Sequence, residues 1–246
     1  MPATRVLIEA APTRDADGTF ELTGPAAHHL ARVLRVRPGA AVILFDGSGS
    51  EWEAEVLAVD RNAVQLTLGE RSEPARECLA PLVLLQGLCR GERMDWVMQK
   101  ATELGAASIL AVSCERSNVR LDEARGDKRL AHWRGVVASA CEQSGRVRVP
   151  EVRGPLSLAE AIADLDGLRL LLDPEAPISL SAVIRAADDA APAAILVGPE
   201  GGLSPAEIEL LVAAGWGAVS MGPRILRTET AGAAALAAIQ AVRAWI

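Results

Sequence analysis

The sequence predicts an α/β protein in two parts, a small β-rich module followed by a larger one with a mainly parallel sheet. Three observations carry this expectation. Residues 1 to about 70 hold short strand-like runs and a single helical pattern. From Leu82 onward, strands and helices alternate. The chain has 246 residues, 50% of them hydrophobic, enough core for one large domain or two modest ones.

In the first part, Val6 to Ile8, Ala41 to Phe45, Glu51 to Val59 and Ala63 to Leu68 read as strands. Apolar positions partly alternate in Trp52-Glu-Ala-Glu-Val-Leu-Ala-Val, and Asp46-Gly-Ser-Gly is a turn signal. His28 to Val36 reads as the helix, closed by Pro38-Gly39, and a small barrel is expected. The charged, poorly periodic stretch Gly69 to Cys78 reads as a linker, so the expected division is 1–70, linker 71–80 and 81–246. In the second part the expected strands are Leu82 to Leu85, Ile109 to Val112, Leu168 to Leu172, Ala193 to Val197 and Ala218 to Met221. The expected helices are Arg93 to Leu104, Leu130 to Ser144, Pro205 to Ala214 and a long Ala-rich helix from about Thr230. Residues 173 to 192 carry no recognisable motif and read as a variable surface segment.

The run Ile195-Leu-Val-Gly-Pro-Glu-Gly-Gly-Leu-Ser-Pro-Ala-Glu-Ile208 joins a strand, a glycine-rich turn and a strong helix start. Ser204 is placed to cap, Pro205 suits the first helical position, and Glu207 completes a capping box. Gly198, Gly201 and Gly202 would let bare backbone approach a small molecule. Pro199 and Glu200 break the dinucleotide pattern, and no Lys completes a phosphate loop. Glu200 favours a neutral or cationic ligand over a phosphate. Locally, the same residues would equally make a plain tight turn. A second polar loop, Met221-Gly-Pro-Arg-Ile-Leu-Arg-Thr-Glu-Thr-Ala231, also runs from strand to helix. Thr228 or Thr230 is placed to cap that helix, Glu229 suits its positive end, and Arg227 beside Glu229 could form a surface ion pair. Ligands bind beyond the carboxyl ends of strands in such sheets, where Leu172-Asp173-Pro174 forms a third loop.

Composition narrows the classes. Net charge is -7, which argues mildly against a nucleic-acid partner, but His28 to Gly39 contains no acid and Arg is in excess from Arg116 to Arg153. Such local patches are either an electrostatic footprint or ordinary surface. The four cysteines are scattered and the three histidines make no cluster, so no metal is expected and the thiols read as reduced and buried. No apolar stretch is long enough for a bilayer and no signal-peptide core is present, so a cytoplasmic protein without membrane contact is expected.

The loops Gly198-Pro-Glu-Gly-Gly202 and Gly222-Pro-Arg-Ile-Leu-Arg-Thr-Glu-Thr-Ala231 resemble the carboxyl-terminal motifs of the SPOUT methyltransferases. Four more blocks, His28 to Arg35, Arg90 to Gly105, Glu115-Arg-Ser117 and Ala140-Cys-Glu-Gln-Ser-Gly-Arg146, resemble the bacterial 16S ribosomal RNA uridine-N3 methyltransferase family (the RsmE type). The blocks run in order across nearly the whole chain.

The resemblance implies an amino-terminal PUA-like RNA-binding barrel and a SPOUT α/β domain with a deep trefoil knot. It implies S-adenosyl-L-methionine as cofactor, a homodimer, and methylation of uridine N3 in 16S ribosomal RNA of the small subunit. The implied cofactor residues are Leu172, Val197, Gly198, Pro199, Glu200, Gly201, Gly202, Met221, Gly222, Ile225, Leu226, Arg227 and Thr230. The family often has Leu where this chain has Met221, and both are apolar. Arg227, as a cation for the uracil anion, and Glu229, as a base, are the candidate catalytic pair. Glu229 reads equally as a residue that suits a helix start. The candidate RNA contacts are His28, His29, Arg32 and Arg35, with residues 28, 32 and 35 on one helix face, and Arg93, Lys100, Arg116 and Arg146. A knotted methyltransferase acting on another RNA atom, such as a ribose 2′-hydroxyl, and a non-catalytic RNA-binding module are the alternatives.

Overall fold

The computed structural model describes residues 4–13, 15, 18–119 and 123–245. The chain divides into two compact units, Met1–Glu77 with Cys141–Val149, and Cys78–Ala140 with Pro150–Ile246.

The first unit is built on β1 (Thr4–Leu7), β2 (Thr19–Thr23), β3 (Ala41–Phe45), β4 (Glu51–Val59) and β5 (Ala63–Ser72). They lie in the order β1-β3-β4-β5-β2, with β1 parallel to β3 and the other pairs antiparallel. Among the described residues no ladder joins β1 to β2, so the strands form a sheet with two ends. On β4 the side chains of Trp52, Ala54 and Val56 are buried while Glu53, Glu55 and Leu57 are exposed. That alternation is what a half-buried strand requires. Val6, Leu22, Leu30, Val42, Leu44, Val56, Val64 and Leu66 make the core. Strand β5 runs on to Ser72, past the expected end at Leu68 and into the expected linker.

The expected helix at His28 to Val36 differs in three ways. It begins earlier, as α1 (Gly24–His28). It continues as a wider π-helical turn, His29–Val33. It has ended before Arg35, which has a φ of 53°. The π turn changes the angular spacing, so residues 28, 32 and 35 do not share a regular helix face. His28, Arg32 and Arg35 are exposed all the same.

Segment 141–149 belongs to this unit through ion pairs and hydrogen bonds that sequence periodicity does not reveal. Arg5 donates to Glu51 at 2.6 Å and to the Arg146 carbonyl at 3.3 Å. Arg76 donates to Glu51 at 3.0 Å and to the Gly145 carbonyl at 2.8 Å. The Leu7 N–H donates to Glu142 at 3.1 Å, and Ser48 bridges Arg148.

The second unit is a six-stranded, wholly parallel sheet in the order β11-β9-β10-β6-β7-β8. Its strands are β6 (Leu82–Gly87), β7 (Ser108–Ser113), β8 (Glu151–Ser157), β9 (Leu168–Leu172), β10 (Ala193–Val197) and β11 (Gly217–Val219). Its helices are α2 (Arg93–Glu103), α3 (Glu123–Ser144, whose end from Cys141 belongs to the first unit), α4 (Leu158–Ile162), α5 (Leu180–Ala186), α6 (Pro205–Ala213) and α7 (Thr228–Val242). Every residue of β10 is buried, as its continuous apolar run demands of a central parallel strand. Leu85, Leu110, Leu171, Ala194 and Leu196 meet Leu158, Ile162, Leu211 and Trp216 of the α4 and α6 region on one face. Helix α7 packs on β6, β10, α2 and α5.

Three elements of this unit were not expected: β8, α4 and α5. Helix α5 falls within residues 173 to 192, where Ser179 caps it by accepting from the Ala182 N–H and Leu180 and Ile184 are buried. Among the described residues no helix is long and apolar enough to cross a membrane.

Candidate cofactor site

Strands β9, β10 and β11 lie at one side of the parallel sheet, and the loops at their carboxyl ends converge. Around them is a cavity of about 550 Å³. Leu172, Val197, Gly198, Pro199, Glu200, Gly202, Met221, Gly222, Ile225, Leu226 and Arg227 line it, together with Glu229. Gly201 and Thr230 do not line it. Gly201 faces away: a Cβ there would lie 2.8 Å from the Arg116 carbonyl oxygen, so the glycine admits the neighbouring loop rather than a ligand. Thr230 is exposed on α7.

Each loop is fixed by a local device. Ser204 and Glu207 form the full capping box at α6, with Pro205 in the first turn. Both residues are buried, and Glu207 also accepts from the Glu115 N–H at 2.9 Å. The turn itself is closed by Gly202 N–H donating to the Pro199 carbonyl at 2.9 Å.

The start of α7 departs from expectation. Its cap is Arg227, with no side-chain cap hydrogen bond, so neither Thr228 nor Thr230 caps it. Thr228 turns inward and donates to the Gly198 carbonyl at 2.6 Å. Arg227 does not pair with Glu229. Arg93 is the partner instead, with its Nη1 2.8 Å from Glu200 Oε1 and its Nε 3.7 Å from Glu229 Oε1. Glu229 Oε2 is buried without a hydrogen-bond partner. The Arg90 N–H also donates to Glu200, at 3.4 Å. Arg93 therefore lines the cavity and ties the glycine loop to the head of α7.

Beside this cluster, burial pushes the Cys89 thiol up to about 12, helped by the Glu200 and Glu229 carboxylates. Burial likewise raises Cys114 to about 12 and Cys141 to about 11. These thiols stay protonated at neutral pH and are poor nucleophiles. Among the described residues no group of three or more His, Cys, Asp and Glu residues could hold a metal ion.

The expected RNA contacts are differently placed. His28, Arg32, Arg35 and Arg116 are exposed. His29 is partly exposed and 4.0 Å from Glu142. Lys100 pairs with Glu103 at 2.8 Å along α2. Arg146 is not a free surface cation: it is 5% exposed and its guanidinium grips Glu77 through Nε at 3.1 Å and through Nη2. The buried pair needs that charge for its own balance, so its place is in the framework of the first unit.

Sequence reading missed Gly87 and Gln86 of β6. A Cβ on Gly87 would lie 2.6 Å from the Pro199 nitrogen and 2.9 Å from the Gly198 carbonyl carbon. The hint in the sequence is a Gln-Gly pair closing an otherwise apolar strand.

An α/β sheet with a ligand cavity at its carboxyl edge, joined to a smaller β unit, agrees with two family models. An RNA methyltransferase domain matches residues 76–240, and the PUA domain of RNA methyltransferases matches residues 22–69. The class is thus an RNA methyltransferase fold with a PUA domain. The ribosomal RNA small subunit methyltransferase E of Bacillus subtilis is 33% identical over 243 residues, covering 96% of this chain and 93% of its own. The crystal structure of the Neisseria gonorrhoeae ribosomal RNA small subunit methyltransferase E, bound to S-adenosyl methionine, superposes with a TM-score of 0.88 at 33% identity and 98% coverage of both chains. A putative methyltransferase of Legionella pneumophila, in complex with the same cofactor, gives 0.89 at 33% identity over 98% of both chains. The chain belongs to the ribosomal RNA small subunit methyltransferase E family.

Proposed function

We propose that this chain methylates N3 of a uridine in 16S ribosomal RNA, using S-adenosylmethionine bound in the cavity between the glycine loop and the head of α7. The observation that carries the reading is the convergence of those two loops on one cavity of about 550 Å³. Its chemistry fits the cofactor. The volume is within the range of small-molecule sites, and the lining holds no lysine. Its carboxylates Asp173, Glu200 and Glu229 are matched by Arg93, Arg224 and Arg227, and Arg93 is paired with Glu200 and Glu229, a balanced lining that suits a ligand carrying both charge signs.

S-adenosylmethionine supplies an electrophilic methyl group on its sulfonium. The protein's part is to align the acceptor and to make uridine N3 nucleophilic by removing its proton. Arg227 lines the cavity and is exposed, and in this reading it stabilises negative charge on the uracil carbonyl oxygens. Glu229, which lines the same cavity, is the proton acceptor in this reading. An Arg227→Ala variant, assayed at cofactor concentrations that saturate it, is expected to lose about 100-fold or more in methyl transfer. Calorimetry and a radiolabel assay check this, and near-normal turnover contradicts the role.

The PUA-like unit, residues 1–70 in this reading, offers His28, His29, Arg32 and Arg35 to the RNA, and the α/β domain, residues 81–246, offers Arg116, Arg93 and Lys100. The protein works in the cytoplasm as a homodimer. Helix α6 supports a partner surface because it exposes Ile208, Leu210 and Val212, at 43%, 40% and 65%. The α/β domain carries a trefoil knot in this reading, as the resemblance of its two carboxyl-terminal loops to the SPOUT methyltransferases implies.

A further inference from the structure

A buried hydrogen-bond chain joins three elements around the cavity. The Gly198 carbonyl closes β10 into the glycine loop and can only accept. Thr228 Oγ1 lies 2.6 Å from it and must donate its one proton there. The same oxygen lies 2.8 Å from Gln86 Nε2, so it accepts from the Gln86 amide. That fixes the orientation of Gln86, whose Nε2 also reaches the Gly87 carbonyl at 3.2 Å while its Oε1 is left without a partner. Gln86 is 0% exposed and Thr228 8%. Every proton in the relay therefore has a single direction, and water has little access to replace a missing member.

The relay links residues distant in sequence. Gln86 stands on β6, Gly198 at the end of β10, and Thr228 in the first turn of α7, directly between Arg227 and Glu229. Gly198, Arg227, Thr228 and Glu229 all line the cavity. Among the described residues the other side-chain tie between the glycine loop and α7 is the Arg93 bridge from Glu200 to Glu229, whose side chain is 43% exposed and whose pairing is correspondingly weak. The buried relay is the stronger tie.

We infer that Gln86 and Thr228 are positioning residues: they hold the Gly198 carbonyl against the head of α7 and so keep the cofactor cavity formed before a ligand arrives. This rests on the cofactor reading above. Neither side chain need touch the reacting atoms. Their effect passes through the spacing of the two loops, and it should fall mainly on cofactor affinity.

The test compares wild type with Thr228→Ser, Thr228→Val, Gln86→Leu and the Thr228→Val/Gln86→Leu double variant. S-adenosylmethionine affinity is measured by calorimetry, KM and kcat on small-subunit RNA by methyl transfer, and the unfolding midpoint without cofactor in parallel. Thr228→Ser keeps the donor and acceptor and is expected within about threefold of wild type. Thr228→Val keeps the shape but leaves the Gly198 carbonyl unpaired, and is expected to weaken binding about 10- to 100-fold. KM for the cofactor should rise in step while kcat at saturation changes much less. The double variant should lose no more than Thr228→Val alone, because Gln86 acts through Thr228. Wild-type affinity in Thr228→Val, or equal damage in Thr228→Ser, overturns the inference. Should Thr228→Val fail to fold, unchanged affinity in folded Gln86→Leu overturns it instead. Failure of wild type to bind the cofactor at all would contradict the cofactor reading and not the relay.

Discussion

Replacing Gly87 by alanine is expected to weaken S-adenosylmethionine binding by about 5- to 150-fold, the equivalent of ~1–3 kcal/mol of overpacking. The glycine ends β6 where the backbone of Gly198 and Pro199 crosses it. A methyl group there would lie 2.6 Å from the Pro199 nitrogen and 2.8 Å from its Cδ. Neither atom belongs to a flexible side chain, so the loop itself must shift. Gly198 and Pro199 both line the cavity, and the displacement therefore falls on the ligand. Gly135→Ala is the matched control. It lies within α3, and nothing stands within 4 Å of its added Cβ; it should leave binding unchanged and add up to about 1 kcal/mol of helix stability. Calorimetry and thermal unfolding on the two variants separate a local steric effect from a general cost of adding a methyl group.

The second large effect is expected at Glu51. Its carboxylate receives Arg5 at 2.6 Å and Arg76 at 3.0 Å, and the side chains of Arg5 and Glu51 are only 9% and 10% exposed. Glu51→Ala leaves the Arg5 guanidinium buried without its counter-charge, although Phe45 remains 5.0 Å from it. Loss of one member of such a buried pair costs about 3–5 kcal/mol, a large share of a domain's ~5–15 kcal/mol. The first unit should unfold at markedly lower urea concentration. Lys100→Ala, which removes a half-exposed pair with Glu103, should cost less than about 1 kcal/mol. Equal midpoints for the two variants would contradict the account of the Glu51 network.

Particular residues explain what was legible in the sequence. Ala193–Val197 forms a strand with the expected bounds because a continuous apolar run suits a strand buried on both faces of a parallel sheet, and Leu168–Leu172 does so with Arg169 as its one polar residue. The cap at Ser204 and Glu207 was legible because its chemistry is local. Strand β8, Glu-Val-Arg-Gly-Pro-Leu-Ser, was not legible: Gly154 and Pro155 are strand breakers, tolerated because β8 is at the sheet's edge. Strand β2 is short and lies at the other sheet's end, and Thr19, Glu21 and Thr23 hide its two apolar residues.

The site divides in the same way. Glycine loops and polar helix starts announce themselves, so most of the cavity lining was foreseen. The partner of Glu200, the inward turn of Thr228, and the burial of Arg146 against Glu77 depend on residues far apart in sequence. No local pattern encodes those pairings. Arg93 shows the consequence. Its sequence block marks it as a cation for RNA, while the fold also sets it between two carboxylates at the cofactor cavity.

The cavity at the carboxyl edge of the parallel sheet is proposed to deliver a methyl group to uridine N3. The most direct measurement incubates the protein and radiolabelled S-adenosylmethionine with small ribosomal subunits from cells lacking this activity, then identifies the labelled nucleoside by mass and chromatographic mobility. Label is expected in 16S ribosomal RNA, recovered as N3-methyluridine. Label on a ribose 2′-oxygen, or no transfer by protein that binds the cofactor, would contradict it.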